Sequence, residues 1–153
     1  MLVEKRIEEL GLVLPPPSKP VASYVSTLLV DTNVFISGLL PMRDGALIAK
    51  GKVGGEVTLD AAVECAKQCA LMAIANLKDA LGDLDRVRQI SRVNGFVASA
   101  PSFIDHPKVM NGASDLLFSV FGDAGKHTRI AVGAASLPLD SPLMIDLIVK
   151  VKP

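Results

Sequence analysis

Apolar residues in this chain recur at two spacings, and the places where one gives way to the other outline the elements. Residues 2–11, LVEKRIEELG, carry an amphipathic helical pattern that Gly11 ends. The proline-rich LPPPSKP that follows can enter neither a helix nor a central strand. In SYVSTLLVDTNVFISGLLP two apolar runs flank the turn-former DTN, which predicts a β-hairpin from strands 24–30 and 33–38. Gly38 closes it, where the backbone needs close approach or positive φ. Residues 42–56 are glycine-rich and predict an irregular loop with an extended piece over 47–50.

The period then becomes helical. Thr58 is a plausible N-cap, and Val63, Ala66, Ala70, Ile74 and Leu77 recur on one face until Gly82. Residues 86–99 predict a strand, with Gly95 marking a bulge or a close approach. A second helix over 107–122 has Val109, Ala113, Leu117 and Val120 as its buried stripe. The stretch TRIAVGAASLPLDSPLMIDLIVKV supplies two apolar strands joined by a Pro-containing turn. The order ββ-α-β-α-ββ predicts an α+β domain with two helices on one face of a mixed sheet. The other sheet face also reads apolar, so a symmetric partner is the economical way to cover it.

Composition agrees with association. Half of the 153 residues are hydrophobic, and mean hydropathy is positive, more than one small core comfortably hides. The 16 basic and 16 acidic residues cancel, and aromatics make up 4%. That balance supplies neither the clustered cations nor the stacking platform that nucleic acid requires. Cys65 and Cys69 lie in the Ala-rich helical segment and read as buried thiols, which suits a reducing cytoplasm. The charged start MLVEKRIEEL is not a signal peptide, and no apolar run reaches the roughly 20 residues of a membrane helix. The expectation is a soluble cytoplasmic protein.

Common catalytic signatures are missing: no GxxxxGK[ST], HExxH, GxSxG or helix-opening GxGxxG occurs. His106 and His127 have no carboxylate or Cys at metal-ligand spacing, so they read as loop-capping residues and no metal site is predicted. Asp83 and Asp85 read as a solvated turn, Asp140 as another, and Asp146 as an outward-facing strand residue. Arg129 is the best candidate for chemistry. It stands at the entrance of an apolar strand, where its stem is buried and its planar fork of donors suits a carboxylate.

Three stretches together, SYVSTLLVDTNVFISGLLP, PKVMNGASDLLFSVFG and HTRIAVGAASLPLDSPLMIDLIVKV, resemble the Rid/YjgF family. These are the reactive-intermediate enamine/imine deaminases once labelled translation initiation inhibitors or endoribonuclease L-PSP. The likeness runs from about Pro20 to Val151, and the R-x-A-V-G-x-A-x-L-P block at Arg129–Pro138 is its most specific part. It implies a single domain over 20–153, preceded by a helix and Pro-rich lead over 1–19, as in a longer, divergent subgroup. It also implies a chorismate-mutase-like fold assembled as a homotrimeric barrel, with sites in clefts between subunits and no cofactor.

By position, Arg129 matches the arginine that grips a substrate carboxylate, and Tyr24 the tyrosine that walls the cleft. Ser37 and Gly38 match the lining S-G, Asn111 the residue opening the second helix, and Ala131 a position often held by Cys or Ser. One departure stands out. The glutamate of active deaminases, six residues past the Pro of the LP pair, is Met144 here, and Leu39 replaces a frequent Gln. A thioether relays no proton, and losing a positioned acid or base typically costs about 10²–10⁴ in rate. Asp146 lies two further along the same strand face but matches a different acidic family position.

Three functions follow from the resemblance. One is hydrolysis of 2-aminoacrylate-type imines to 2-keto acids and ammonia. Another is non-catalytic binding of a small carboxylate. The last, an endoribonuclease or translation inhibitor, is disfavoured by zero net charge, few aromatics and no His or Lys dyad in the matched cleft.

Overall fold

The computed structural model describes residues 1–153. Helix α1 (Leu2–Glu9) and the extended lead precede β1 (Thr27–Val30), β2 (Asn33–Leu39) and a small hairpin of β3 (Met42–Arg43) and β4 (Ala46–Leu47). Then come α2 (Leu59–Leu81), β5 (Val87–Ala98), α3 (His106–Phe121), β6 (Thr128–Ala134) and β7 (Leu143–Val151). Five strands form one sheet in the order β1-β2-β7-β5-β6. Every neighbouring pair is antiparallel except β5 and β6. A parallel pair cannot be joined by a tight turn, and α3 provides the crossover it needs. The protein is therefore α+β, with three α-helices and a mixed sheet, as the periodicity predicted. No helix is long and apolar enough to cross a membrane.

Burial explains the register. Along β7, Leu143, Ile145, Leu147, Val149 and Val151 are buried, while Met144, Asp146, Ile148 and Lys150 alternate with them on the other face. Each buried aliphatic contributes about 1.5–3 kcal/mol. A slip by one residue would exchange that set for one containing Asp146 and Lys150, so the pairing is strongly specified. The buried face packs under α2 and α3. Thr58 caps α2 by accepting the Ala61 amide at 3.2 Å, and Asp105 stands at the start of α3.

The last two strands, joined by the Pro-containing turn, are not neighbours in the sheet: β5 lies between them, and β6 is left as a sheet edge. Several expectations need correction. The loop over 42–56 contains a hairpin at 42–47 rather than an extended piece at 47–50. Its turn, Asp44–Gly45, has positive φ at both residues (52° and 81°), the Asp-Gly signature of a two-residue hairpin. Strand β1 starts at Thr27 rather than 24. Gly95 is a close approach and not a bulge, since a Cβ there would lie 2.5 Å from Sδ of buried Met110 in α3.

Asp83 and Asp85 are not simply solvated. Asp83 accepts the Asp85 amide at 2.9 Å, and Asp85 accepts the amides of Leu2 and Val3 at 2.7 and 2.8 Å, which fastens the start of α1. Helix α1 contributes Ile7 to the common core. The lead is pinned to α2 where buried Asn76 accepts the Ser18 amide at 2.7 Å.

The open sheet face is apolar with an interruption. Leu28, Phe35, Ile130 and Val132 are exposed there, beside half-buried Met144, Phe96 and Ile148. Across them runs a polar row in which Arg92 Nε donates to Asn94 Oδ1 (2.9 Å) and Asn94 Nδ2 to Asp146 Oδ1 (2.7 Å). Asp146 thus faces away from the helices.

Candidate functional site

Residues paired across a ladder share a face. Arg129 pairs with Val93, Ala131 with Gly95, and Gly133 with Val97. All three β6 residues therefore face the helices, at the free edge of the sheet beside α3. There Arg129 Nη1 donates to Asn111 Oδ1 at 2.9 Å and to Ser114 Oγ at 3.1 Å. Asn111 and Ser114 are three apart on α3 and so lie on one side of it. Ala131 packs against the core as a partly buried neighbour of the arginine.

The guanidinium has no carboxylate partner. All its hydrogen bonds leave from Nη1, and no ion pair includes it. Nε and Nη2 make no hydrogen bond within the protomer. A cavity of about 400 Å³ opens beside it, lined by Ser114, Phe118, Lys126, His127 and Arg129 among others.

His127 caps its loop through Nδ1, 2.6 Å from the Gly125 carbonyl oxygen, and its Nε2 also lies 2.9 Å from Ser114 Oγ. The parallel pairing of β6 with β5 brings residue 127 to the third turn of α3, where Ser114 stands, so the cleft does hold a histidine. The sequence does not point to Ser114, and it marks His127 only as a loop-capping residue. Their spacings, three from Asn111 and two from Arg129, are the signals that could have singled them out. His106 binds Ser99 Oγ through Nε2 at 2.9 Å and meets Phe103 edge-on.

The remaining candidates lie elsewhere in the protomer. Ser37 Oγ donates to the Val25 carbonyl at 2.6 Å, and Tyr24 is exposed beside it. Gly38 lies against Met144, whose Sδ would be 2.8 Å from a Cβ there. Thus Tyr24, Ser37, Gly38 and Met144 gather near β2, while Arg129, Asn111 and Ala131 gather at β6. Strands β7 and β5 lie between β2 and β6, so at ~4.8 Å per step β2 and β6 are about 14 Å apart, and Met144, on β7, is about 10 Å from β6. Met144 and Asp146 also face away from Arg129, across the sheet. A single protomer does not unite them.

The two cysteines are buried in α2. Burial, helped by Glu64 and opposed by Arg43, pushes the Cys65 thiol up to about 11. Burial, with Cys65 nearby, pushes Cys69 well above its ordinary value. Cys69 donates weakly to the Leu39 carbonyl at 3.5 Å. These are packing residues.

An α+β layer with an arginine at the edge strand beside the crossover helix is the setting in which comparison with known proteins becomes informative. The family described as "YjgF/chorismate_mutase-like, putative endoribonuclease" matches residues 4–151, and the chain belongs to this Rid/YjgF family. It is 39% identical to "Protein TCP17" of Trypanosoma cruzi over 149 residues, 97% of this chain and 93% of that protein. Among solved structures it resembles the protein Atu1372 of Agrobacterium tumefaciens, at 41% identity and a TM-score of 0.92, over 99% of this chain and 93% of that one. A structure from Shewanella oneidensis described as "a putative endoribonuclease" shares 34% identity with a TM-score of 0.93, over 97% and 99% of the two chains.

Proposed function

We propose that Arg129 grips the carboxylate of a small 2-imino or 2-keto acid, in a cleft completed by a second copy of the chain within a homotrimer. The carrying observation is the half-buried guanidinium that is anchored at Nη1 and has no acidic partner. A guanidinium offers five donors in a fixed fork, so Nε and Nη2 remain for a bidentate carboxylate. A neighbouring copy that covers the apolar open face would bring the Tyr24, Ser37, Gly38 and Met144 group to the Arg129 side of the cleft. The reaction that fits is hydrolysis of an enamine/imine to the 2-keto acid and ammonia. Two free buried thiols suit the cytoplasm as its place.

The presence of Met144 where the family's deaminases carry a glutamate favours a second reading, a trimeric protein that binds small carboxylates without turning them over. An endoribonuclease is the least favoured of the family's named activities, because the chain has no net positive charge.

Calorimetry with 2-ketobutyrate tests the shared part of both readings. Saturable binding is expected, and Arg129→Ala should abolish it; undiminished binding by the variant rules out the site. A coupled assay of 2-aminoacrylate loss then separates catalyst from binder.

A further inference from the structure

We propose that Ser114 and His127 form the proton relay of the Arg129 cleft, with Ser114 touching the attacking water and His127 as the base behind it. This rests on the carboxylate-grip reading of Arg129 and adds the acid–base group that Met144 does not supply.

The hydrogen-bond directions leave one arrangement for the neutral imidazole. A carbonyl oxygen only accepts, so Nδ1, at 2.6 Å from the Gly125 oxygen, carries the proton. Nε2 is then an acceptor, and at 2.9 Å it can only receive the Ser114 hydroxyl proton. Arg129 Nη1 donates into one lone pair of Ser114 Oγ at 3.1 Å. A hydroxyl has one donor and two lone pairs, so Ser114 keeps one lone pair unspent. Ser114, His127 and Arg129 line the same cavity, where a water can donate to that lone pair. The result is a directed chain: water to Ser114 Oγ, Ser114 to His127 Nε2, and His127 Nδ1 to Gly125. A base oriented by a third group and bonded to a hydroxyl is the general logic of activated oxygen nucleophiles.

The steps balance. Water oxygen bonds to the carbon of the protonated imine as the C=N π pair moves onto nitrogen. The water proton passes to Ser114 Oγ while the Ser114 proton passes to His127 Nε2. The imidazolium returns that proton by the same route to the amino nitrogen of the carbinolamine. The C–N bond then breaks, and the departing ammonia takes the hydroxyl proton, leaving the keto acid and ammonium. Protonated imine and water are consumed, keto acid and ammonium are formed, and no oxidant or reductant is involved.

Other groups around His127 are distinguishable from it. Asp115 of α3 is exposed, and its backbone oxygen accepts the Ser119 hydroxyl. Lys126 pairs with Asp123 at 3.0 Å and lies over Phe118. Arg129 from β6 is always charged. Asp146 faces the opposite side of the sheet, bound to Asn94.

The test compares wild type, His127→Gln, Ser114→Ala and Asp115→Asn for 2-aminoacrylate hydrolysis across pH 5–9, and for 2-ketobutyrate binding by calorimetry. Gln keeps a hydrogen-bonding group at 127 without a titrating ring. The relay predicts that kcat of His127→Gln falls about 10²–10⁴-fold and that the acid limb of the pH profile disappears. Ser114→Ala falls similarly in kcat and, because it also removes an Arg129 anchor, binds 2-ketobutyrate more weakly; Asp115→Asn keeps the wild-type profile, and His127→Gln binds 2-ketobutyrate within a few-fold of wild type. Unchanged rates and acid limb in His127→Gln overturn the relay and leave the Arg129 reading standing. So does loss of the acid limb in Asp115→Asn, which transfers the role to that carboxylate. A wild type that binds 2-ketobutyrate but hydrolyses no imine overturns the relay alone. A wild type that binds no 2-ketobutyrate overturns both.

Discussion

Gly112 of α3 lies against the carbonyl oxygen of Val63 in α2, with no room between them for a Cβ. The Val63 Cγ1 would also stand only 3.0 Å from that atom. Because Asn111 and Ser114 flank Gly112, this helix crossing also sets where the two Arg129 partners stand.

Gly112→Ala decides between propensity and packing. Helix propensity favours Ala by about 1 kcal/mol, while forcing a methyl into a packed contact costs about 1–3 kcal/mol. Here the contact is backbone on backbone, which cannot rotate away, so packing wins. The expected outcome is a lower urea midpoint together with weaker 2-ketobutyrate binding. A higher midpoint would mean that the helices separate freely at this crossing.

The open face predicts association. Val132 is 43% exposed on an edge strand, next to other apolar groups, and Val132→Glu would place a charge inside the proposed interface. Sedimentation should give a trimer for the wild type and a smaller species for the variant, with 2-ketobutyrate affinity lost along with the assembly. A wild type that sediments as a monomer at micromolar concentration removes the trimer and the shared cleft.

The thiols should be inert in the native protein. With Cys65 raised to about 11 and Cys69 raised well above its ordinary value by burial, almost no thiolate exists at pH 8. Ellman's reagent should label neither residue on the timescale of minutes, and both after addition of guanidinium. Fast labelling of native protein would show that α2 opens locally.

The anchor of α1 should weaken in acid. The Met1 amino group, then the Val3 and Leu2 amides, hold the Asp85 carboxyl well below the usual carboxylate range. For Glu4, burial pushes upward but the Leu84 amide and Lys78 ammonium outweigh it, so its net shift is also downward. Groups lowered on folding stabilise the folded state fully above their unfolded values, near pH 4, and lose that contribution as pH falls through the folded values. Hydrogen exchange should therefore show the amides of residues 3–9 losing protection below about pH 4, before the sheet does. Asp85→Ala should reproduce the loss at pH 7. Protection that stays constant to pH 2 in the wild type would contradict this.

What the chain alone determined was local and periodic. Alternation in β7 and the 3.6-residue stripes of α2 and α3 each name one buried face, because hydrophobic burial depends on which side a residue occupies and little on its distant neighbours. Thr58 and Gly82 were readable as helix ends for the same reason, since caps are satisfied within a turn. Arg129 stood out because a planar cation in an apolar run needs a partner wherever the run is placed.

Only the tertiary structure decided strand order and the neighbours of that arginine. Nothing in the Pro138–Pro142 turn reveals that β5 will insert between β6 and β7, because that pairing depends on the α3 crossover and on the packing of both helices. That placement set β6 at the edge, brought His127 to Ser114, and turned Met144 and Asp146 to the face opposite Arg129. Proton chemistry depends on hydrogen-bond distances of about 3 Å, and those are set by long-range pairing that local periodicity does not encode.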